Sequence, residues 1–389
     1  MITCFYLSIV SVFQVIGLPS AIQWKGPCMI ILHIVDHFSL GGAQRIVEGI
    51  VKHMSDTLLL PLRKKGSDDK QIGIEDSRFL QKPSSSLLHQ ILNLLQVPAQ
   101  IKEQDIQIVH CHLHFSWLYG LWLYFWIPSG SRPKFFFHEH DSVEIFRWFY
   151  PIWVRLLSRK GIFIAVSHFI QQHLLSCGVP EEKIVLLKNF VDLERFYPGG
   201  RCELSTFGLE TRIAKDTRII GFAGRLVEYK GWRVILEIAH AVPEACFLIA
   251  GDGPDADKLV KEIRAQELED RVFFLGYVEN MRGYYHSIDL LVIPSVKEAF
   301  GLVQLEAQAC GVPVLVYDNQ AAQEIHGDHS TILVRSGDIE MLIHKVNELL
   351  NSSELIKSLV EKGLENARAY NLPTYILTLD RFYHKILNQ

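Results

Sequence analysis

From Met29 onward, short apolar runs alternate with amphipathic stretches, the pattern of repeated β-α-β units around a parallel sheet. In the first half the apolar runs predict strands over 29–35, 57–62, 106–111, 134–138, 162–166 and 184–187. Helical spacing lies between them. Ile46, Val47, Ile50, Val51 and Met54 share one face of a helix predicted over 43–54. Ser167 is placed to cap a helix over 168–176, and Gly178 to stop it. Residues 194–217 break the rhythm, with Pro198, Gly199 and Gly200 among polar residues, as a linker does. The alternation then restarts, with strands expected over 218–223, 245–250, 271–275, 289–293 and 313–317. Helices are expected over 230–242, 254–266 and 301–310, and the tail, 338–387, reads as helical throughout.

This order predicts an α/β protein of two Rossmann-like, doubly wound parallel-sheet domains. The expected boundaries are 29–196 for the first domain, 197–217 for a linker and 218–370 for the second, with a helix over 371–389 returning to pack on the first. Residues 1–24 hold no charged side chain, yet Gly17, Pro19 and Ser20 interrupt the apolar run. Residues 1–28 therefore read as a dispensable extension or a translation-start artefact rather than an anchor. Open α/β sheets bind ligands at the carboxyl ends of their strands, so function is sought there.

Two such ends in the second half carry charged residues. At 293–313 the chain reads IPSVKEAFGLVQLEAQACGVP, with Glu298 in a loop and Glu306 on the helix that follows. The N–H groups of Phe300, Gly301 and Leu302 at that helix start form a ready anion site. Gly221-Phe222-Ala223-Gly224-Arg225, followed by Lys230-Gly231, brings two cations to a neighbouring strand end. Arg225 and Lys230 can offset charge building on a departing diphosphate. A glycosidase pair is a poor fit for Glu298 and Glu306. Eight residues of continuous helix span about 12 Å, against roughly 5 to 9.5 Å between paired glycosidase carboxylates. The strand-G-x-G-x-x-A-helix stretch LIAGDGPDA (248–256) imitates a dinucleotide fingerprint. A nicotinamide enzyme would leave the Glu pair and Arg225/Lys230 without a role.

The E-x7-E spacing inside PSVKEAFGLVQLEAQACGVPV resembles the retaining glycosyltransferases of family 4, which have the GT-B fold of two Rossmann-like domains facing a cleft. GFAGRLVEYKGW (221–232), IAGDGP (249–254), VFFLGYV (272–278) and the stretch from IAVS to GVPEEKIVLLKNFVDLERF (164–196) extend the likeness over about residues 30–350. The resemblance implies transfer of a sugar from a nucleotide diphospho-sugar, with retention at the anomeric carbon and without a cofactor or metal. It implies that Arg225 and Lys230 bind the diphosphate, Glu306 the ribose hydroxyls and Glu298 the donor sugar. Phe300, Gly301 and Leu302 would supply backbone donors to the phosphates, and Tyr277 and Val278 would hold the base. Asn189-Phe190 replaces the family's frequent Asn-Gly in a hinge loop.

In the first half, Gly41 and Gly42 open the first helix, where a backbone can approach a phosphate or a sugar, or simply turn tightly. The resemblance implies the former. His110, His112 and His114 alternate at one strand end, and His138 and His140 at another. A metal cluster is the sharp reading, but soft ligands and carboxylates in metal spacing are missing. No metal is therefore expected. His140 is the best match to the family's strand-end histidine near the reacting sugar, with His138 the alternate. His110, His112 and His114 read as satisfied loop histidines.

The formal net charge of −4 gives no global pull on nucleic acid, and seven scattered cysteines without C-x-x-C spacing fit reduced thiols in the cytoplasm. Trp117, Trp122, Trp126, Trp148 and Trp153 crowd between 117 and 153. The stretch 115–127 reads as a core helix. FRWFYPIWVRLLSRK (146–160) mixes rings with Arg147, Arg155, Arg159 and Lys160, as an element at a membrane interface does. The expected partners are therefore a nucleotide sugar and a glycan or lipid-linked acceptor, with peripheral contact at the inner face of the membrane. The competing readings are an epimerase or glycan synthase on the same fold, and a catalytically silent glycan- or nucleotide-binding homologue.

Overall fold

The structure is a computed structural model that describes residues 29–389 apart from 38–40, 64–73, 75–77, 82–86, 141–149, 203 and 328. The extension 1–28, Asp141 and the 146–149 part of the aromatic-basic stretch lie outside the described residues.

Two six-stranded sheets carry the fold, and every described strand pairing is parallel. The first runs in the order β2-β1-β3-β4-β5-β6, from β1 (Ile30–His37), β2 (Thr57–Arg63), β3 (Ile106–His112), β4 (Lys134–Glu139), β5 (Ile162–Ala165) and β6 (Ile184–Leu186). The second runs β12-β11-β10-β7-β8-β9, from β7 (Ile219–Ala223), β8 (Cys246–Ala250), β9 (Val272–Gly276), β10 (Leu290–Ile293), β11 (Val314–Asp318) and β12 (Ile332–Arg335). Helices cover both faces of a doubly wound sheet, so strands such as β5, β7, β8 and β10 are buried at every residue. This explains why continuous apolar runs, rather than alternation, marked them.

The helices follow the apolar faces. In α1 (Gly42–His53), Ile46, Val47, Ile50 and Val51 are buried, and Ser167 caps α5 (His168–Ser176) by accepting from Ile170 N. Among the described residues the other α-helices of the first half are α2 (Leu87–Glu103), α3 (His114–Trp126) and α4 (Tyr150–Ser158). In the second half they are α6 (Trp232–Ala241), α7 (Ala256–Ala265), α8 (Met281–Tyr285), α9 (Leu302–Ala309) and α10 (Gln320–Ile325). The tail is helical throughout, as expected, in three helices: α11 (Ile339–Asn351), α12 (Ser353–Ala369) and α13 (Leu372–Leu387). Ser352 and Asn371 accept hydrogen bonds from the N–H groups of Leu355 and Thr374 and so start new helices within a polar-apolar pattern that itself continues.

One expectation is corrected. The stretch 115–127 is not a core helix all round. α3 buries Ser116, Trp117, Gly120 and Leu123, while Phe115, Leu118, Phe125 and Trp126 are exposed. The helix is apolar on every face but has only one side to pack on the sheet.

The two sheets meet at several points. Ser167 Oγ donates to Ala299 O (2.6 Å), and His168 N donates to Glu324 Oε2 (2.7 Å), whose Oε1 lies 3.2 Å from Lys188 Nζ. Val191 N donates to Tyr370 O (2.8 Å) just before α13 returns to the first sheet. There Tyr375, Leu379 and Tyr383 are buried with Ile31, Ile108 and Phe136. Phe190, standing where the resemblance leads one to expect glycine, packs its ring 4.8 Å from that of Tyr375 and against Gly49.

Candidate functional site

Lys230 and Glu298 come together across two loops. Lys230 ends a short 3₁₀ turn, and Gly231 then takes a left-handed conformation (φ 76°) as the N-cap of α6. A Cβ at Gly231 would sit 2.2 Å from Pro294 O, so only glycine lets this turn lie against the loop after β10. Val296 N donates to Tyr229 O (2.9 Å) and ties the two loops together. The result is an ion pair of 2.6 Å between Lys230 Nζ and Glu298 Oε1, both side chains largely shielded. Arg225 stands exposed after β7 on the same edge of the sheet.

Gly301 is left-handed too (φ 96°) and is the N-cap of α9. It turns the loop bearing Glu298 into the helix bearing Glu306, and it leaves the first N–H groups of α9 without intrahelical acceptors. Phe300 is buried, with its ring 5.9 Å from that of Tyr370. Leu302 lies close to Gly42, whose hypothetical Cβ would be 3.1 Å from Leu302 Cδ1. The start of α1, capped by Gly41, and the start of α9 therefore face each other.

Glu306 is buried and fully engaged. Arg45 Nη1, from α1 of the first domain, donates to Oε1 (2.8 Å), and Tyr285 OH donates to Oε2 (2.8 Å). Burial works against the Arg45 charge, but Glu306 outweighs it and holds the guanidinium above its ordinary range. Tyr277 adds to the same effect and so lies near this ion pair. Tyr277 and Val278 also line a depression of about 710 Å³ with Phe207, Arg212, Phe273 and Asn280, which Lys230 and Glu298 do not line. Sequence reasoning gave Arg45 and Tyr285 no role. The available signal was that Arg45 follows the glycine pair within the first turn of its helix.

The histidines are strand residues, not loop residues, which corrects the reading of His110 and His112. Both sit on one face of β3, fully buried. His33 Nδ1 is 2.9 Å from His112 Nε2, and His112 Nδ1 is 2.9 Å from His140 Nε2. In a second chain His110 Nε2 is 3.2 Å from His138 Nδ1, while His110 Nδ1 meets the Tyr383 hydroxyl of α13. His114 opens α3 and reaches Glu139, which also accepts from Tyr150 OH. Burial pushes the imidazoles toward neutrality, His33 down to about 3 and His140 to about 4. The trios His33/His110/His112 and His112/His138/His140 each have the spacing to hold a metal ion. Neither includes a negative ligand.

Comparison with known proteins agrees with this arrangement. Residues 209–366 match the family of glycosyl transferases group 1, and residues 40–195 match glycosyltransferase family 4. The putative glycosyltransferase EpsF of Bacillus subtilis is 26% identical over 318 residues, 74% of this chain and 79% of that protein. The alpha-galactosylglucosyldiacylglycerol synthase of Streptococcus pneumoniae is 26% identical over 239 residues, 59% of this chain and 62% of that protein. Among solved structures, Anabaena HepE in complex with UDP and glucose superposes with a TM-score of 0.75 at 20% identity, covering 91% of this chain and 99% of that one. With both halves matched and two parallel-sheet domains arranged as in these structures, the chain belongs to the group 1 glycosyltransferases and has the GT-B fold.

Proposed function

We propose that the protein transfers a sugar from a nucleotide diphospho-sugar to a glycan or lipid-linked acceptor, with retention at the anomeric carbon and with no metal or cofactor. The observation that carries this reading is the grouping at the start of α9. Lys230 pairs with Glu298 at 2.6 Å, and Glu306 lies on the helix that Gly301 opens. A diphosphate there meets Lys230, Arg225 and the N–H groups of Phe300, Gly301 and Leu302, which together offset the charge that grows on the leaving group. Glu306 holds the ribose hydroxyls and Glu298 the donor sugar. Tyr277 and Val278 hold the base. Gly41 and Gly42 bring the α1 backbone close to the phosphate. His140 serves the reacting sugar from the acceptor side. The similarity to HepE, a protein solved with UDP and glucose bound, supports a uridine donor as the first to try.

On the acceptor side, the exposed faces of α3 and α4 support contact with a membrane surface. Phe125, Trp126, Ile152 and Leu156 are exposed, and Lys160 Nζ lies 4.9 Å from the Tyr124 ring centroid. No helix among the described residues is long and apolar enough to cross a membrane. The similarity to the pneumococcal protein, a diacylglycerol glycolipid synthase, supports the lipid-linked option.

The test is a thermal-shift screen of the purified protein against UDP-, GDP- and ADP-sugars. Binding to the folded state alone stabilises it by mass action, by about 2.7 kcal/mol at a hundredfold excess over Kd, and so raises the midpoint. A selective shift with one base is expected. A flat response to the whole panel at millimolar concentrations would remove the donor assignment.

A further inference from the structure

His33, His112 and His140 lie in one hydrogen-bonded row, with 2.9 Å between His33 Nδ1 and His112 Nε2 and 2.9 Å between His112 Nδ1 and His140 Nε2. Burial keeps the three rings neutral, so each carries one proton. A neutral imidazole donates from one nitrogen and accepts at the other. His112 therefore has only two ways to satisfy both neighbours. Either every N–H in the row points toward His140, or every one points toward His33. A mixed arrangement loses a hydrogen bond. The outer atoms, His33 Nε2 and His140 Nδ1, are buried and have no hydrogen-bond partner among the described residues, so each end of the row has one unsatisfied nitrogen.

Its direction follows from electrostatics. Burial lowers His140 most, and Glu139, the buried carboxylate that precedes it at the end of β4, works the other way and favours positive charge on that side of the row. The row is a string of aligned dipoles, and its positive end lies lowest in energy beside a negative charge. The N–H groups then run from His33 through His112 to His140, which is left with its proton on Nδ1. That is the reverse of the Nε2–H form that free histidine favours in water.

We propose that His33 and His112 are positioning residues that hold His140 as its Nδ1–H tautomer, so that β4 ends in a hydrogen-bond donor for the reacting sugar. The sugar part of this statement rests on the role given to His140 above. The tautomer part does not. A metal ion is a worse occupant of the same rings. It would take the lone pairs that the row uses and bring positive charge into a buried site without a negative ligand.

The test is nitrogen-15 NMR of the full chain with labelled histidine. Two-bond proton–nitrogen couplings separate Nδ1–H from Nε2–H rings, and loss of its signals in His140→Gln assigns His140. The wild type should show His140 as Nδ1–H. His112→Phe should return it to Nε2–H, and His33→Phe, which removes the aligned dipole of His33 and leaves the His112–His140 bond to Glu139 alone, should give both forms. Should His112→Phe not fold, His33→Phe alone carries the comparison. Nε2–H at His140 in the wild type would overturn the proposal, as would Nδ1–H that persists in the folded variants. One equivalent of zinc whose removal by a chelator moves the His33 and His112 signals would overturn it too. Unchanged turnover in His140→Ala, beside the expected tautomers, would instead remove the role of His140 in catalysis and leave the row intact.

Discussion

Arg45 of the first domain donates to Glu306 of the second at 2.8 Å, and the ion pair spans the cleft where the donor is proposed to bind. Glu306 cannot take ribose hydroxyls at Oε1 without sharing or releasing Arg45, so donor binding and the packing of the two domains act on the same carboxylate. Truncating one member strands the other as a buried charge, which costs about 3 to 5 kcal/mol. Arg45→Ala is therefore expected to lower thermal stability more than Arg225→Ala, which removes an exposed charge. Glu306→Gln, which keeps the shape, should weaken nucleotide binding more than it slows transfer. Equal melting temperatures for Arg45→Ala and wild type would show that the pair contributes nothing to closure.

Lys230 and Arg225 are expected to act on the leaving group. Removal of either by alanine should cost about 2 kcal/mol or more of transition-state stabilisation, read from kcat/KM. Lys230→Ala also leaves Glu298 without its 2.6 Å partner, so it should be the more damaging of the two. Transfer within threefold of wild type in both variants would sink the diphosphate assignment.

How much of this could be read in the sequence depends on what each feature needs. Strands buried on both faces announced themselves as apolar runs, and β7 and β8 appear within a residue of expectation. The edge strand β12 was missed because Ile332–Arg335 is short and only Val334 is buried. Lys230, Glu298 and Glu306 stood out through their place at strand ends. Arg45 did not, because its partner is 261 residues away and nothing local marks the contact. The alternation of histidines showed that they share a face of each strand. It could not show that β1 adds His33 opposite His110, a matter of register between strands.

His140 should matter for turnover and not for donor affinity. His140→Ala is expected to lower kcat strongly while leaving the Kd for nucleotide within a few fold, since the ring sits on the first domain and its hydrogen-bond partner is His112. If His138→Ala proves the severe variant, the reacting ring is the one in the chain that ends at Tyr383.

The buried imidazoles set a pH dependence of stability. His33 falls from its ordinary 6.5 to about 3 on burial, and burial, then His110, His33 and the other rings, lower His112 as well. A lowered folded value means that the unfolded chain binds the proton first, so stability is present above pH 6.5 and is lost as pH falls toward the folded value. For His33 alone this loss is about 2 kcal/mol at pH 5. Urea midpoints should drop between pH 7 and pH 5, and His33→Phe, where it folds, should lessen that drop. A midpoint independent of pH over this range would show that the rings are not held neutral.

α3 and α4 together form an exposed surface of apolar and basic side chains. In α4 the buried side carries Val154 and Leu157, while Ile152, Arg155 and Leu156 face out. On α3, Phe125 and Trp126 are exposed, the Trp122 and Trp126 rings stack at 5.2 Å, and Lys160 lies 5.4 Å from the Phe125 ring centroid. Exposed rings beside cations suit an interface where rings settle at headgroup depth and cations meet anionic lipid. Each cation near such a surface contributes about 1 kcal/mol, weakened by salt. The protein should co-sediment with phosphatidylserine-containing vesicles at low salt and less so at high salt. Replacing Arg155, Arg159 and Lys160 by Gln should weaken binding by about a hundredfold, given three such contributions. Replacing Phe125 and Trp126 by Ser should weaken binding at high salt as well, because ring insertion does not depend on charge. Vesicle binding absent at low salt, or unmoved by both sets of substitutions, would leave these rings without a membrane role.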